Sequence, residues 1–202
     1  MRKKRRTRNA LIEATLTMIT EHGIDKFTML DVTNSADVAF ATAYNYFDSK
    51  EDLVAAAMET VMGRLAEKIE EKTLNFSDPS HIFPFGLKTV LTVMSFDDRF
   101  RWLQKRPDML ARSIYRCFGP YAKNDIQKGV EASRFQVNDV ETVWLQVSWS
   151  IVGVAVGISQ NNLPLDVLQT SVINIIKMLG VESAAAVDLY NKLPAPLNID
   201  ES

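Results

Sequence analysis

A chain of 202 residues that is 47% hydrophobic and 24% charged has the make-up of an ordinary globular protein, long enough for a small domain beside a larger one. A single cysteine, Cys117, allows no internal disulfide, and with two histidines it is too little for a structural zinc site, so the expectation is a reducing cytoplasm with no metal and no cofactor. The net charge of −2 conceals an asymmetry: residues 1–8 carry six basic side chains, and the other 17 basic residues face 25 acidic ones, a net of −8 over residues 9–202.

Those six are Arg2, Lys3, Lys4, Arg5, Arg6 and Arg8. A basic arm on an acidic body points to a polyanion at one end of the molecule, with Arg5 and Arg6 as candidate phosphate contacts. A solvated tail is the plain alternative. No apolar signal region follows the arm, because Glu13 interrupts the first helical pattern. The longest uninterrupted apolar stretch, 151–158, is too short to span a bilayer, so no membrane partner is expected.

Leu11, Ala14, Thr15, Met18 and Ile19 recur at helical spacing across residues 8–22, and Gly23 is a natural stop. Two short helices are predicted next, over 29–35 and 39–46, separated by Ala36-Asp37-Val38. Thr28 can cap the first of them, with Asp31 three residues on as a capping-box partner. Ser49 caps a long helix over about 50–72, whose apolar stripe is Leu53, Ala56, Ala57, Thr60, Val61, Leu65 and Ile69. Residues 75–84, with two prolines, form a link.

Further helices are predicted over 85–95, 98–106 and 107–118, then a break at Gly119-Pro120 and another helix over 121–133. A long apolar helix over 137–161, a break at Leu163-Pro164 and a helix over 165–179 ending at Gly180 complete the pattern. The last ten residues read as a loose tail. With no strand-like alternation and no internal repeat, the chain is all-α: an arm and three-helix unit over 1–50, and a larger helical bundle over 51–202 joined through the 50–72 helix.

Two short helices with a three-residue turn, packed on a preceding helix, make a helix-turn-helix whose second member offers side chains to base edges. That member, 39–46, is small near its start. Thr42 suits a thymine methyl or a phosphate, and Asn45 suits adenine. Tyr44 and Tyr46 carry hydroxyls fit for phosphate oxygens, or are half-buried core. Phe40 meets a thymine methyl or packs inward. Lys50, in the first turn of the next helix, adds charge where backbone amides already favour an anion. Thr28 and Ala41 complete the candidate DNA-facing set.

The stretch Phe27-Thr28-Met29-Leu30-Asp31-Val32, then Ala36-Asp37-Val38, then Thr42-Ala43-Tyr44-Asn45-Tyr46-Phe47-Asp48-Ser49-Lys50-Glu51-Asp52-Leu53, resembles the signature of the tetracycline-repressor (TetR) family over residues 8–58. The resemblance implies a homodimeric regulator that binds a palindromic double-stranded DNA operator and lets go when a small-molecule effector, apolar or amphipathic, moves the reading heads apart. It also implies that the helices over 137–161 and 165–179 form the dimer-forming pair. Three residues depart from the pattern. Asp37 replaces the turn glycine, Ala39 replaces a capping serine worth about 1 kcal/mol, and Ala43 replaces a large aliphatic.

In the second part, Trp102, Met109, Tyr115, Phe118, Trp144 and Trp149 are candidate pocket residues, although aromatic and methionine stripes are usually core. Gly153 and Gly157 have the spacing that lets two helices approach closely, and join Val172 and Ile176 as candidate dimer contacts. Cys117 reads as a small buried hydrophobe. His22 ends a helix, and His81 lies in a loop. No nucleophile elbow, zinc-binding His-Glu-x-x-His, phosphate loop or dinucleotide fingerprint is present, so no enzyme is expected. A helical enzyme and a helical protein–protein adaptor stand as the alternatives, and sequence-dependent, salt-sensitive DNA binding separates them from a regulator.

Overall fold

A computed structural model describes residues 2–160 and 163–197, with side chains from residue 4, so Arg2 and Lys3 of the arm lie outside the described side chains. The described chain is all-α and divides into two compact units, Met1–Val61 and Met62–Ser202.

In the first unit, α1 (Arg2–His22) begins within the basic arm, six residues earlier than periodicity predicts. Leu11, Ile12, Ala14, Thr15 and Ile19 form its buried face, and Gly23, at φ +78°, ends it. After a 3-10 turn over Ile24–Lys26 comes α2 (Met29–Ser35), opened by the expected capping box. Asp31 Oδ2 accepts from the Thr28 backbone N–H at 2.7 Å, and Thr28 Oγ1 accepts from the Asp31 N–H at 3.3 Å. Asp37 takes the left-handed turn conformation, at φ +52°.

The reading helix is shorter than predicted. α3 spans only Phe40–Ala43, and Tyr44–Tyr46 form a tighter turn in which Asn45 and Tyr46 N–H groups donate to the carbonyls of Thr42 and Ala43, three residues back. No side chain caps Ala39, and with one turn of helix to share, the backbone relaxes to three-residue closure. α4 (Lys50–Thr73) opens on Ser49, whose Oγ accepts from the Asp52 N–H at 3.1 Å. Its buried stripe is wider than the one read from sequence, adding Val54, Met58, Met62 and Ala66. α4 contributes residues to both units.

The second unit contains α5 (Ile82–Phe96), α6 (Arg101–Gln104), α7 (Pro107–Glu131), α8 (Val140–Ser159), α9 (Val167–Met178) and α10 (Ser183–Lys192). α8 packs on α7 and α5, α5 also meets α9, and α10 lies on α9. Three expectations are corrected. Gly119-Pro120 does not break α7, which continues through Pro120. α8 approaches closely there: Trp144 Nε1 donates to the Tyr115 carbonyl at 3.0 Å, and its ring lies where a Cβ on Gly119 would fall. α10, which periodicity does not reveal, is opened by the Glu182 carboxylate, accepting from the Ala184 and Ala185 N–H groups.

The tail is also not loose as far as Leu197. Leu193 is buried, Lys88 Nζ donates to the Pro194 carbonyl at 3.0 Å, and the Leu197 N–H donates to Thr89 Oγ1 at 3.4 Å. α8 is long and apolar enough, at mean hydropathy 1.5, to cross a membrane by length and composition, a point the shorter uninterrupted apolar run does not convey. Seven of its residues, from Trp144 to Ile158, are buried inside the unit.

Candidate nucleic-acid interface and ligand cavity

The helix-turn-helix is held by what it buries. Val32, Ala43 and Phe47 are almost fully inaccessible, and Ala43, small as it is, is 0% exposed. That anchoring turns the other side of α3 outward. Phe40 and Tyr44 are 45% and 47% exposed and touch edge to face, with ring centroids 5.3 Å apart. Ala41 and Asn45 are exposed, and Thr42 and Tyr46 are half-buried. Thr28, also exposed, has its side chain engaged with Asp31, so it serves α2 first. Leu30 on α2, not singled out from sequence, is 51% exposed. The backbone N–H of Thr28 holds the Asp31 carboxyl below the usual carboxylate range.

Lys50 is not an outward-pointing side chain, contrary to expectation. Its Nζ donates to the carbonyls of Ile24 at 2.7 Å and Phe27 at 2.6 Å, and lies 4.2 Å from the centre of the Phe27 ring. The turn between α1 and α2 presents two carbonyls that no helix ladder uses, and the ammonium fills that need. Of the arm, Lys4, Arg5, Arg6 and Arg8 are exposed, and the Arg8 guanidinium also sits 5.2 Å from the centre of the Phe47 ring.

The second unit holds a cavity with about 390 Å³ of empty space, its mouth included, walled by α4, α5, α7 and α8. Of the six aromatic and methionine candidates it gathers two, Phe118 and Trp144, together with Phe83, Leu87, Tyr121 and Asp125. The other four lie elsewhere. Trp149 is 52% exposed, and Trp102 stacks with Arg106. Tyr115 donates its hydroxyl to Glu141, which Lys123 also reaches at 2.8 Å, and Met109 is half-buried outside the cavity wall. Trp144 and Trp149, five residues apart on one helix, necessarily face different ways.

Asp125 is the residue that sequence reasoning missed, and no motif marks it. It is 5% exposed, and burial among apolar walls pushes its carboxyl up to about 6 despite Lys128 Nζ at 3.5 Å. A carboxyl raised in the fold costs stability as pH climbs above its unfolded value near 4, in full above about 6.

Among the candidate dimer contacts, Val172 and Ile176 are 1% and 0% exposed, committed to the core of their own unit. Gly157 makes room for Leu163 of the same chain, whose side chain lies where a Cβ would fall. Gly153 is exposed, on the face of α8 that also shows Leu145 and Trp149. Cys117 is half-buried on α7.

Residues 11–57 match the family described as bacterial regulatory proteins, tetR family, and residues 78–192 match the tetracyclin repressor-like C-terminal domain. The chain is 37% identical over 60 residues to the HTH-type transcriptional regulator BetI of Rhizobium meliloti, 30% of each protein. It is 32% identical over 71 residues to the fatty acid metabolism regulator protein of Bacillus subtilis, 35% of this chain and 37% of that one. These matches therefore span about a third of the curated relatives. Among solved structures, RolR in complex with resorcinol has the same fold at a TM-score of 0.84 and 24% identity, covering 96% of this chain and 98% of that one.

Proposed function

Since the chain belongs to the TetR family of bacterial regulatory proteins, we propose that it is a DNA-binding transcriptional repressor that grips a palindromic operator as a homodimer and is released by a small effector. The observation that carries this reading is the outward pair Phe40 and Tyr44 beside Thr42 and Asn45, on a helix pinned through buried Ala43 and Phe47. Side chains near the start of a reading helix meet base edges, while tyrosine hydroxyls and arm cations meet phosphates. In this reading Phe40, Ala41, Thr42 and Asn45 read bases, and Tyr44, Tyr46, Arg5 and Arg6 hold the backbone. The DNA-binding part is residues 1–50, and the sensing and dimerising part is 51–202. The work is done in the bacterial cytoplasm, on the nucleoid, with no reaction catalysed.

The dimer face suggested by exposure is Leu145, Trp149 and Gly153 on α8, with Met178 on α9. A two-fold axis through such a patch pairs each residue with the same surface on the other copy. The effector site is the cavity of the second unit. α4 supplies Ala66 and Ile69 to its wall and Lys50 to the helix-turn-helix, so a ligand that shifts α4 shifts both.

Thr42→Ala tests the base-reading assignment by gel shift on operator and mutated operator. Discrimination is expected to fall by about 1 kcal/mol while non-specific binding stays intact. Uniform weakening on both DNAs would put Thr42 among the groups that hold the backbone instead.

A further inference from the structure

The cavity of the second unit has walls with a definite chemistry. Phe83, Phe118, Tyr121 and Trp144 supply aromatic faces, Leu87 and Ile151 supply aliphatic ones, and Asp125 brings a carboxyl. The space, about 390 Å³ with its open mouth counted, is bounded by these flat apolar faces. Asp125 is 95% buried, yet it borders this space, and Lys128 Nζ stands at the outer limit of a hydrogen bond, 3.5 Å away, on a side chain 43% exposed. Glu70, from α4, adds a second negative charge near the carboxyl. At neutral pH this arrangement costs the fold stability, and a bound hydrogen-bond donor would remove the cost.

We propose that this cavity recognises a compact aromatic molecule carrying a hydrogen-bond donor, a hydroxyl or an ammonium, which Asp125 accepts, and that it turns away carboxylates. The inference deepens the effector-site reading above and rests on it. The aromatic walls supply most of the buried area and suit a flat ring, or a cation over a ring face. The carboxylate supplies orientation, because a charge-assisted bond to it is stronger than a neutral one, the more so among apolar walls. An anionic ligand would instead place a third negative charge beside Asp125 and Glu70. Besides burial, the groups that set the protonation of Asp125 are Lys128 on α7 and Glu70 on α4, and Tyr121 on α7 is the other titratable residue of the cavity wall. α5 and α8 contribute only apolar and aromatic residues to the wall.

The sign of the pH effect follows. The donor favours the ionised carboxyl, so binding is tightest above about pH 6 and weakens as Asp125 takes up a proton below it.

Calorimetry on the full chain without DNA tests this with four one-ring probes: 4-ethylphenol, 2-phenylethylammonium, 4-methylanisole and 3-phenylpropanoate. At neutral pH at least one donor probe is expected to bind about tenfold or more tighter than 4-methylanisole, and 3-phenylpropanoate more weakly than either donor. The order of the first two probes tells which donor is read. Lowering the pH to about 5 should weaken the donor probe by roughly tenfold, since about one carboxyl in ten then remains ionised. Asp125→Asn, of nearly the same shape, should abolish the pH dependence and admit 3-phenylpropanoate, and should shrink the donor preference to that of a neutral acceptor, because its amide oxygen still accepts. Should that variant fail to fold, the pH series on the unaltered protein decides the matter.

Silence from all four probes, equal binding of the anisole or the propanoate by the unaltered protein, or an unchanged pH dependence in the Asn variant overturns the proposal. Because DNA is absent, these results are independent of operator binding. A donor probe that binds but leaves a DNA complex intact sinks the effector reading while upholding the chemistry of the cavity.

Discussion

Replacing Lys50 by alanine is expected to destabilise the N-terminal unit by about 2–4 kcal/mol and to weaken binding to all DNA sequences together. The size follows from what the ammonium does. It donates to the Ile24 carbonyl at 2.7 Å and the Phe27 carbonyl at 2.6 Å, and lies over the Phe27 ring at 4.2 Å. Hydrogen bonds to a charged group are worth about 1.5–3 kcal/mol each, and bonds sharing one donor do not add in full. Alanine leaves two carbonyls to whatever water can reach them, in the segment that sets α2 on α1. Denaturant unfolding of the isolated variant measures the loss directly, and DNA binding is then compared at equal concentrations of folded protein. An unchanged unfolding midpoint with a flatter salt dependence would return Lys50 to the role its place behind Tyr-Phe-Asp-Ser first suggests, a phosphate ligand.

Neutralising the arm should have the second-largest effect, and on a different observable. Lys4, Arg5 and Arg6 are exposed and belong to α1, so successive side chains point about 100° apart around the helix. All three cannot reach one phosphate backbone. One or two ion pairs with phosphates per protomer are expected, and changing all three residues to alanine should flatten the log–log salt slope by about 0.9 for each such pair removed. The ranking of operator sequences should not change, because phosphates carry no base information. Arg8 is left in place because its guanidinium already lies against Phe47. Titrations at several salt concentrations give the slope; one that does not move means that the arm is a solvated extension.

The parts of this fold that could be read ahead are those whose physics is local. The Thr28–Asp31 capping box, the left-handed Asp37 and the Ser49 cap involve residues at most three apart, and each is found as expected. What escaped involves partners distant in the chain. Lys50 finds its acceptors 23 and 26 residues away, and a surface lysine in a first helical turn gives no sign of it. Pro120 should end a helix by its own chemistry, yet α7 continues through it, with Trp144 of the distant α8 packed across Tyr115 and Gly119. Periodicity can separate Trp144 from Trp149 by face but cannot say which face is inward, so the pocket candidates scattered. α10 is the exception: a Glu182 cap before three alanines is a local signal that could have been read.

Sequence-specific gripping of a two-fold operator is tested most directly by footprinting on the DNA flanking the protein's own gene, with the protein-to-DNA ratio measured in the same complex. Two symmetric half-sites about one helical turn apart, or a multiple of it, occupied by two chains or by a whole number of dimers, is the predicted result. A lone asymmetric half-site held by one chain, or protection indifferent to sequence, would contradict it.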